Sequence, residues 1–211
     1  MTAKPWFGNT KNIYCIGRNY REHAKELNNP VPTKPIIFLK SPSSLRSLDP
    51  CEMAYAHEEY DFEAEIILVL KDHLKLNTQP HFSNLAGLSL GLDLTRRQVQ
   101  SDLKKQGHPW AIAKNFKGAG VLSSLASLDG LTNETNIEFS FHVNDELKQL
   151  GHSQEMIFSP LTILTEILKG VELFPGDLVF TGTPKGVGKI KIGDKLSLVS
   201  KTLKINDHGY L

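Results

Sequence analysis

The segment DFEAEIILVL, residues 61–70, constrains the fold of this chain more than any other. Ile66, Ile67, Leu68, Val69 and Leu70 follow one another without a polar break, and such a run reads as a buried β-strand. Its entrance carries two carboxylates, Glu63 and Glu65, separated by Ala64. Residues two apart in a strand point to the same face, roughly 6.6–6.8 Å apart along it. Two like charges on one face repel unless they are solvated, protonated or bridged by a cation. Taken alone, the pair also fits a solvated strand end.

A third carboxylate shifts the balance. The segment GLSLGLDLT, residues 87–95, sets Asp93 inside an otherwise apolar strand. Aspartate is a poor strand residue, and burying it unpaired is costly. Three acids on buried strands, with no CxxC or HxH spacing nearby, favour a hard, oxygen-preferring cation. Mg2+ or Mn2+ fits that set better than Zn2+.

Three further features carry chemistry. In GRNYREHAKE, residues 17–26, His23 and Glu26 stand three apart on a predicted helix and share a face. A glutamate held against an imidazole fixes its tautomer and raises its basicity, as a general base requires; an exposed ion pair is the ordinary alternative. Lys114, in PWAIAKNF, follows small and apolar residues and could be a partly buried cation that polarises a carbonyl. The loop GTPKGVG, residues 182–188, lacks the spacing of a phosphate-binding P-loop. Its three glycines can still present backbone N–H groups to an anion such as a carboxylate. The remaining histidines show no ligand spacing.

Around these features the chain reads as an alternation of strands with a few helices. KNIYCIGRNY, PIIFLK, GLSLGLDLT, IEFSFHVND and GDLVFTGTP are strand candidates, and GDKLSLVSKTLKI is a terminal strand pair. SPSSLRSLDP reads as loop. YREHAKELN has helical character, and TRRQVQSDLKKQG reads as a helix with Thr95 as N-cap and Gly107 as its stop. SPLTILTEILKGV is amphipathic, with Leu161, Leu164, Ile167 and Leu168 on one stripe. Strands outnumber helices and no regular β-α-β order emerges, so the expected class is α+β, mostly β. No linker divides the chain, and 1–211 reads as one domain with residues 1–12 as a lead-in.

Composition narrows the function classes. With 24 basic and 23 acidic residues, a formal charge of +1 and no basic block, nothing favours a nucleic-acid partner. No segment reaches the roughly 18 apolar residues of a membrane span, and MTAKPWFGNTKN lacks the apolar core of a signal peptide. Cys15 and Cys51 form no CxxC pair and read as reduced thiols. A cytoplasmic protein is the expectation.

Taken in order, CIGRNYREHAKE, PIIFLKSPSSL, EAE, GLDLTRRQVQ, KKQGHPWAIAKNF, MIFSP and GDLVFTGTPKGVG resemble the fumarylacetoacetate hydrolase family over nearly the whole chain. The length resembles its small acylpyruvate-hydrolase and oxaloacetate-processing branch. The resemblance implies a mixed β-roll with a few peripheral helices around a divalent metal, built as a homodimer. It implies that Glu63, Glu65 and Asp93 hold Mg2+ or Mn2+, and that His23 and Glu26 form a dyad on a lid segment. It further implies that Lys114 and Gln100 contact substrate oxygens, while Arg18 and the loop at Thr183 help bind its carboxylate. One departure is Tyr60-Asp61-Phe62, where relatives are often rich in histidine; Asp61 adds an acid beside the site. The leading expectation is hydrolysis of the C–C bond of an acylpyruvate to pyruvate and a carboxylic acid, with His23 activating water. Tautomerisation or decarboxylation of oxaloacetate at the same site is the alternative, because all three reactions share an enolate beside a carboxylate. A non-catalytic binder of 2-oxo acids is disfavoured by the presence of His23, Glu26 and Lys114.

Overall fold

The computed structural model describes residues 5–49, 53, 55 and 58–211. Among them, in chain order, the strands are β1 (Ile13–Gly17), β2 (Ile36–Lys40), β3 (Leu45–Ser47), β4 (Tyr60–Phe62), β5 (Ala64–Leu70), β6 (Leu85–Asp93), β7 (Gly120–Ala126), β8 (Glu138–Val143), β9 (Glu146–His152), β10 (Leu178–Phe180), β11 (Gly188–Ile190), β12 (Lys195–Ser200) and β13 (Ile205–Tyr210). The helices are short: α1 (Arg21–Glu26), α2 (Arg97–Lys105), α3 (Ala111–Lys114) and α4 (Pro160–Ile167). The fold is mostly β, as expected. No helix among the described residues is long and apolar enough to cross a membrane.

A mixed seven-stranded sheet, ordered β2-β1-β10-β5-β6-β7-β3, forms the body. Within it β1 runs parallel to β10 and β3 parallel to β7, while β5 is antiparallel to both its neighbours. Every residue of β5 is buried. Both faces of the strand are therefore covered, which is why its sequence does not alternate. Ile66, Leu68 and Leu70 enter the main core with Phe139, Phe141, Leu196 and Leu198 of the four-stranded sheet β13-β12-β8-β9 and with Ile163, Leu164 and Ile167 of α4. Ile67 and Val69 enter a smaller core with Ile13, Cys15, Leu178 and Phe180, flanked by Trp6 and Phe38. Burying each such side chain contributes about 1.5–3 kcal/mol, so the central strand is anchored on both sides.

Local chemistry explains most element ends. The β8–β9 hairpin turns through Asn144 and Asp145, both at positive φ, the backbone that a two-residue type I′ hairpin loop needs. The Ser159 side chain accepts the Thr162 N–H and Pro160 opens α4, a combination that starts helices well. Its buried stripe is Ile163, Leu164, Ile167 and Leu168, with Leu161 only partly covered. Gly107, at φ +68, follows α2 and donates its N–H to the Lys104 carbonyl, as a helix stop.

Two local expectations are corrected. The N-cap of α2 is Arg96, not Thr95, and it makes no side-chain capping bond; the Thr95 hydroxyl is instead engaged by Lys114. SPSSLRSLDP is not all loop. It holds a 3-10 turn at Pro42–Ser44 and the short strand β3, which pairs with β7. Strand β7 itself, GVLSSLA, went unread because Ser123 and Ser124 interrupt its apolar pattern. Cys15 is buried as a free thiol, and Cys51 lies outside the described residues.

Candidate active site

Strand register brings the three carboxylates together. In the β5–β6 pair Ala64 faces Leu92 and Glu65 faces Gly91. One step further, the Asp93 N–H donates to the Glu63 carbonyl at 2.8 Å. Glu63 and Asp93 are thus opposite one another, with Glu65 one row along on the same face. Gly91 has no room for a side chain. A Cβ there would stand 2.7 Å from the Val121 carbonyl oxygen and 3.1 Å from the Ile67 side chain. All three acids are buried, and one oxygen of each lies within 4.8 Å of the others.

Buried and half-buried cations answer this charge. Lys114, at the end of α3, reaches Glu63 Oε2 at 2.9 Å, Asp93 Oδ2 at 2.8 Å and the Thr95 hydroxyl at 2.6 Å. Arg97, the first residue of α2, donates to Glu63 Oε1 at 2.6 Å and to Asp61 at 2.7 Å. The extra acid, Asp61, therefore serves to hold this arginine. Lys40, at the end of β2, lies 2.8 Å from Asp93 Oδ1 and donates to the Lys114 carbonyl at 2.6 Å.

The electrostatics follow from these contacts. Burial pushes the Glu63 carboxyl up, but the Lys114 and Arg97 cations outweigh it and hold the group well below the usual carboxylate range. Glu65 goes the other way. Burial, then the Asp93 and Glu63 charges, push it well above that range, against the pull of the Gly182 N–H. Lys114 is desolvated, yet Asp93 and Glu63 raise it above its ordinary value.

The donor set fits a divalent cation. Its atoms are all carboxylate oxygens, the choice of Mg2+ and Mn2+. Asp93 Oδ1 is buried without a hydrogen-bond donor. The 2.8 Å approach of Lys40 supplies charge but lacks the alignment of a hydrogen bond. A lone pair is left over for an ion.

The His23–Glu26 pair sits beside this centre. On α1 the His23 ring is buried, with Nδ1 3.4 Å from Glu26 Oε2. Burial holds His23 below its ordinary pKa, more than Glu63 and Glu26 lift it. The imidazole is accordingly neutral at neutral pH, as a base must be. Glu26 also accepts the Gly186 N–H at 3.1 and 3.2 Å.

The glycine loop thus aims its N–H groups at the protein's own carboxylates. Gly182 donates to Glu65 Oε2 at 2.6 Å and Gly186 to Glu26. The Thr183 hydroxyl is occupied within the protein, donating to the Ala64 carbonyl and accepting from Gln149. Gly182 sits at φ +99, and a Cβ there would approach the Asn19 Cβ to 2.6 Å. Asn19 in turn clamps the Thr181 and Phe158 carbonyls through Nδ2.

A small cavity of about 50 Å³ brings Arg18, His23, Glu63, Gln100 and Lys114 to one space, walled by Phe38 and Trp110. Four larger cavities, one of which shares Phe38, Trp110 and Lys114 with this space, include none of the three acids. Glu26 stands behind His23, Glu65 and Asp93 stand beneath Glu63, and Thr183 lies in the supporting loop. Gln100 Oε1 accepts from Arg97 at 2.8 Å, which leaves its NH2 to donate. Sequence reasoning missed Lys40 and Arg97. The signal for Lys40 was a lysine closing an apolar strand, IIFLK; Arg97 looked like one of two ordinary helix arginines.

Comparison with known proteins identifies the family. Residues 12–207 match the fumarylacetoacetate (FAA) hydrolase C-terminal family. The chain is 33% identical to the mitochondrial oxaloacetate tautomerase FAHD1 of Homo sapiens, over 95% of this chain and 94% of that protein. It is 35% identical to the mitochondrial oxaloacetate tautomerase FAHD1 of Arabidopsis thaliana, over 88% and 84%. The fold superposes on fumarylpyruvate hydrolase from Pseudomonas aeruginosa, solved in complex with Mn2+ and pyruvate, with a TM-score of 0.85 and 28% identity, over 95% of this chain and 89% of that one. The chain belongs to the fumarylacetoacetate hydrolase family. The expectation of a cytoplasmic protein is corrected, since both tautomerases are mitochondrial. Reduced cysteines and near-neutral charge do not separate one reducing compartment from another.

Proposed function

We propose that this protein is a divalent-metal-dependent oxaloacetate tautomerase, interconverting the enol and keto forms of that dicarboxylate. This ranks the alternative of the sequence reading above acylpyruvate hydrolysis. The two tautomerase relatives support it over nearly their full lengths. The observation that carries it is the lining of the cavity, where Arg97 and Lys114 are held by Asp61, Glu63 and Asp93 while Arg18 and Lys104 make no ion pair among the described residues. Two unpaired cations suit a doubly charged acid better than an acylpyruvate with a single carboxylate, such as acetylpyruvate.

Glu63, Glu65 and Asp93 would hold Mg2+ or Mn2+. When bound, that ion supplies Lewis-acid polarisation of the 2-oxo group and so favours loss of a C3 proton. The remaining work belongs to side chains. Neutral His23 takes the proton at C3 through Nε2, the nitrogen not directed at Glu26. Glu26 orients the ring and stabilises the imidazolium. The proton then returns to the enol oxygen, or by the reverse course to C3, so that atoms and charge balance without water. The Gln100 NH2 donates to the developing oxyanion, while Lys114, whose three N–H bonds are given to Glu63, Asp93 and Thr95, contributes its charge. The apolar wall of Phe38 and Trp110 limits water, which tautomerisation does not need.

Loss of the enol absorbance of freshly dissolved oxaloacetate, with Mg2+ and with EDTA, tests the reading. Metal-dependent acceleration is expected, abolished in His23→Ala. No acceleration, together with pyruvate and acetate released from acetylpyruvate, would overturn it in favour of hydrolysis. The fumarylpyruvate hydrolase fold is the observation behind that second reading. A homodimer belongs to the proposal as well: Ile37, Leu39 and Ile112 are exposed apolar side chains near the edge of the large sheet, a surface suited to self-association. Light scattering should give twice the 23.5 kDa of one chain.

A further inference from the structure

Residues Arg97, Gln100 and Lys104 are spaced i, i+3 and i+7 on α2 and so share one helical face. That face lines the cavity. Arg97 donates to both Gln100 and Glu63. Lys104 is different. It lies one turn further from the triad, with Nζ 4.7 Å from the centre of the Trp110 ring. Trp110 packs edge-on against Phe38, so the lysine rests on a supported aromatic surface. Among the described residues Lys104 makes no ion pair, and neither does Arg18 on the same cavity.

We propose that Lys104, seated on Trp110 and paired across the cavity with Arg18, is the specificity determinant for the second carboxylate of the substrate. The inference rests on the oxaloacetate reading for the identity of that acid. The 2-oxo-carboxylate end belongs at the triad, where Lys114 and Gln100 converge. A four-carbon diacid carries its other carboxylate away from the triad, toward the part of α2 that bears Lys104. Two cations without counter-ions meet it there. Lys104 already feels its neighbours: burial, then Arg97, Arg18 and Lys114, push its pKa down. An incoming carboxylate relieves that repulsion. A 2-oxo acid ending in a methyl group gains nothing from it.

Malate and lactate form the matched probe pair, because both are 2-hydroxy acids and only malate carries the second carboxylate. Neither can tautomerise, so binding is read without turnover. Calorimetric titration of the Mg2+-loaded protein should show malate affinity falling roughly tenfold in Lys104→Met, the loss expected of one charge-assisted hydrogen bond. Lactate affinity should stay within about twofold, and Lys104→Arg should restore malate. Equal losses for both acids, or none for malate, would overturn the assignment. Failure of the oxaloacetate reading would show separately, as wild-type protein that leaves the enol decay unchanged while the malate–lactate difference stands.

Discussion

Replacing Lys40 with methionine keeps the length of the side chain and removes its charge. Lys40 Nζ lies 2.8 Å from Asp93 Oδ1, with the two side chains 0% and 2% exposed, and it also donates to the Lys114 carbonyl. Removing one partner of a buried ion pair costs about 3–5 kcal/mol, because the other charge is left uncompensated. Lys114 still touches Asp93 through Oδ2, so the lower end, about 3 kcal/mol, is expected. For a chain of 211 residues, where each kcal/mol moves Tm by about 2–4 °C, the melting point should fall by about 6–12 °C in EDTA. Saturating Mg2+ should return part of that loss, since the ion takes over as counter-charge to Asp93. The thermodynamic cycle then requires the variant to bind Mg2+ more tightly than wild type. Recovery of about 1.4 kcal/mol corresponds to a tenfold gain in affinity. Circular-dichroism melts with and without Mg2+, joined to calorimetric Mg2+ titration, measure both sides. Equal deficits in the two conditions, or weaker Mg2+ binding by Lys40→Met, would refute the reasoning.

Asp93→Ala should abolish Mg2+ binding by calorimetry, while His23→Ala should leave it unchanged and lower turnover by about 10²–10⁴-fold; retained binding in Asp93→Ala would remove that residue from the ligand set. Burial depresses His23 below its ordinary 6.5, so the unfolded chain takes up a proton that the folded one resists. Its contribution to stability is complete above 6.5 and is lost as pH falls through the folded value. Urea unfolding across that window should show a flatter acid limb in His23→Gln, and identical slopes would contradict the assignment. Gly182→Ala forces a Cβ to within 2.6 Å of the Asn19 Cβ at φ +99. It should destabilise by about 2–4 kcal/mol and weaken Mg2+ binding through the Gly182–Glu65 contact. Wild-type behaviour in both measurements would show that the loop is softer than its geometry indicates.

The parts legible in the sequence are those whose chemistry sits in local spacing. Glu63 and Glu65 announce a shared face, Asp93 stands out in an apolar strand, and His23 and Glu26 share a helical turn. Register then does the rest, setting Glu63 opposite Asp93. What stayed hidden depends on long-range partners. Lys40 and Arg97 become site residues only when the end of β2 reaches Asp93 and the start of α2 reaches Asp61 and Glu63, separations of dozens of residues that spacing does not encode. The glycine loop was read as an anion binder without its anions, because Glu65 and Glu26 come from two other segments. Strand β7 escaped because its two serines look like a turn, although Ser123 Oγ accepts the Leu90 N–H inside the sheet. Thr95 looked like a helix cap because threonine commonly is one, whereas its hydroxyl is spent on Lys114.

That glycine loop has a further consequence. Gly182 grips Glu65 of the acidic centre, and Gly186 grips Glu26 behind the imidazole. The separation between the two halves of the chemistry is therefore written as a residue count, the step from 182 to 186, as on a gauge block. Changes within that step that preserve its length can alter what surrounds the site. An inserted or deleted residue would re-space base and acids together, and no adjustment of either half alone would correct it.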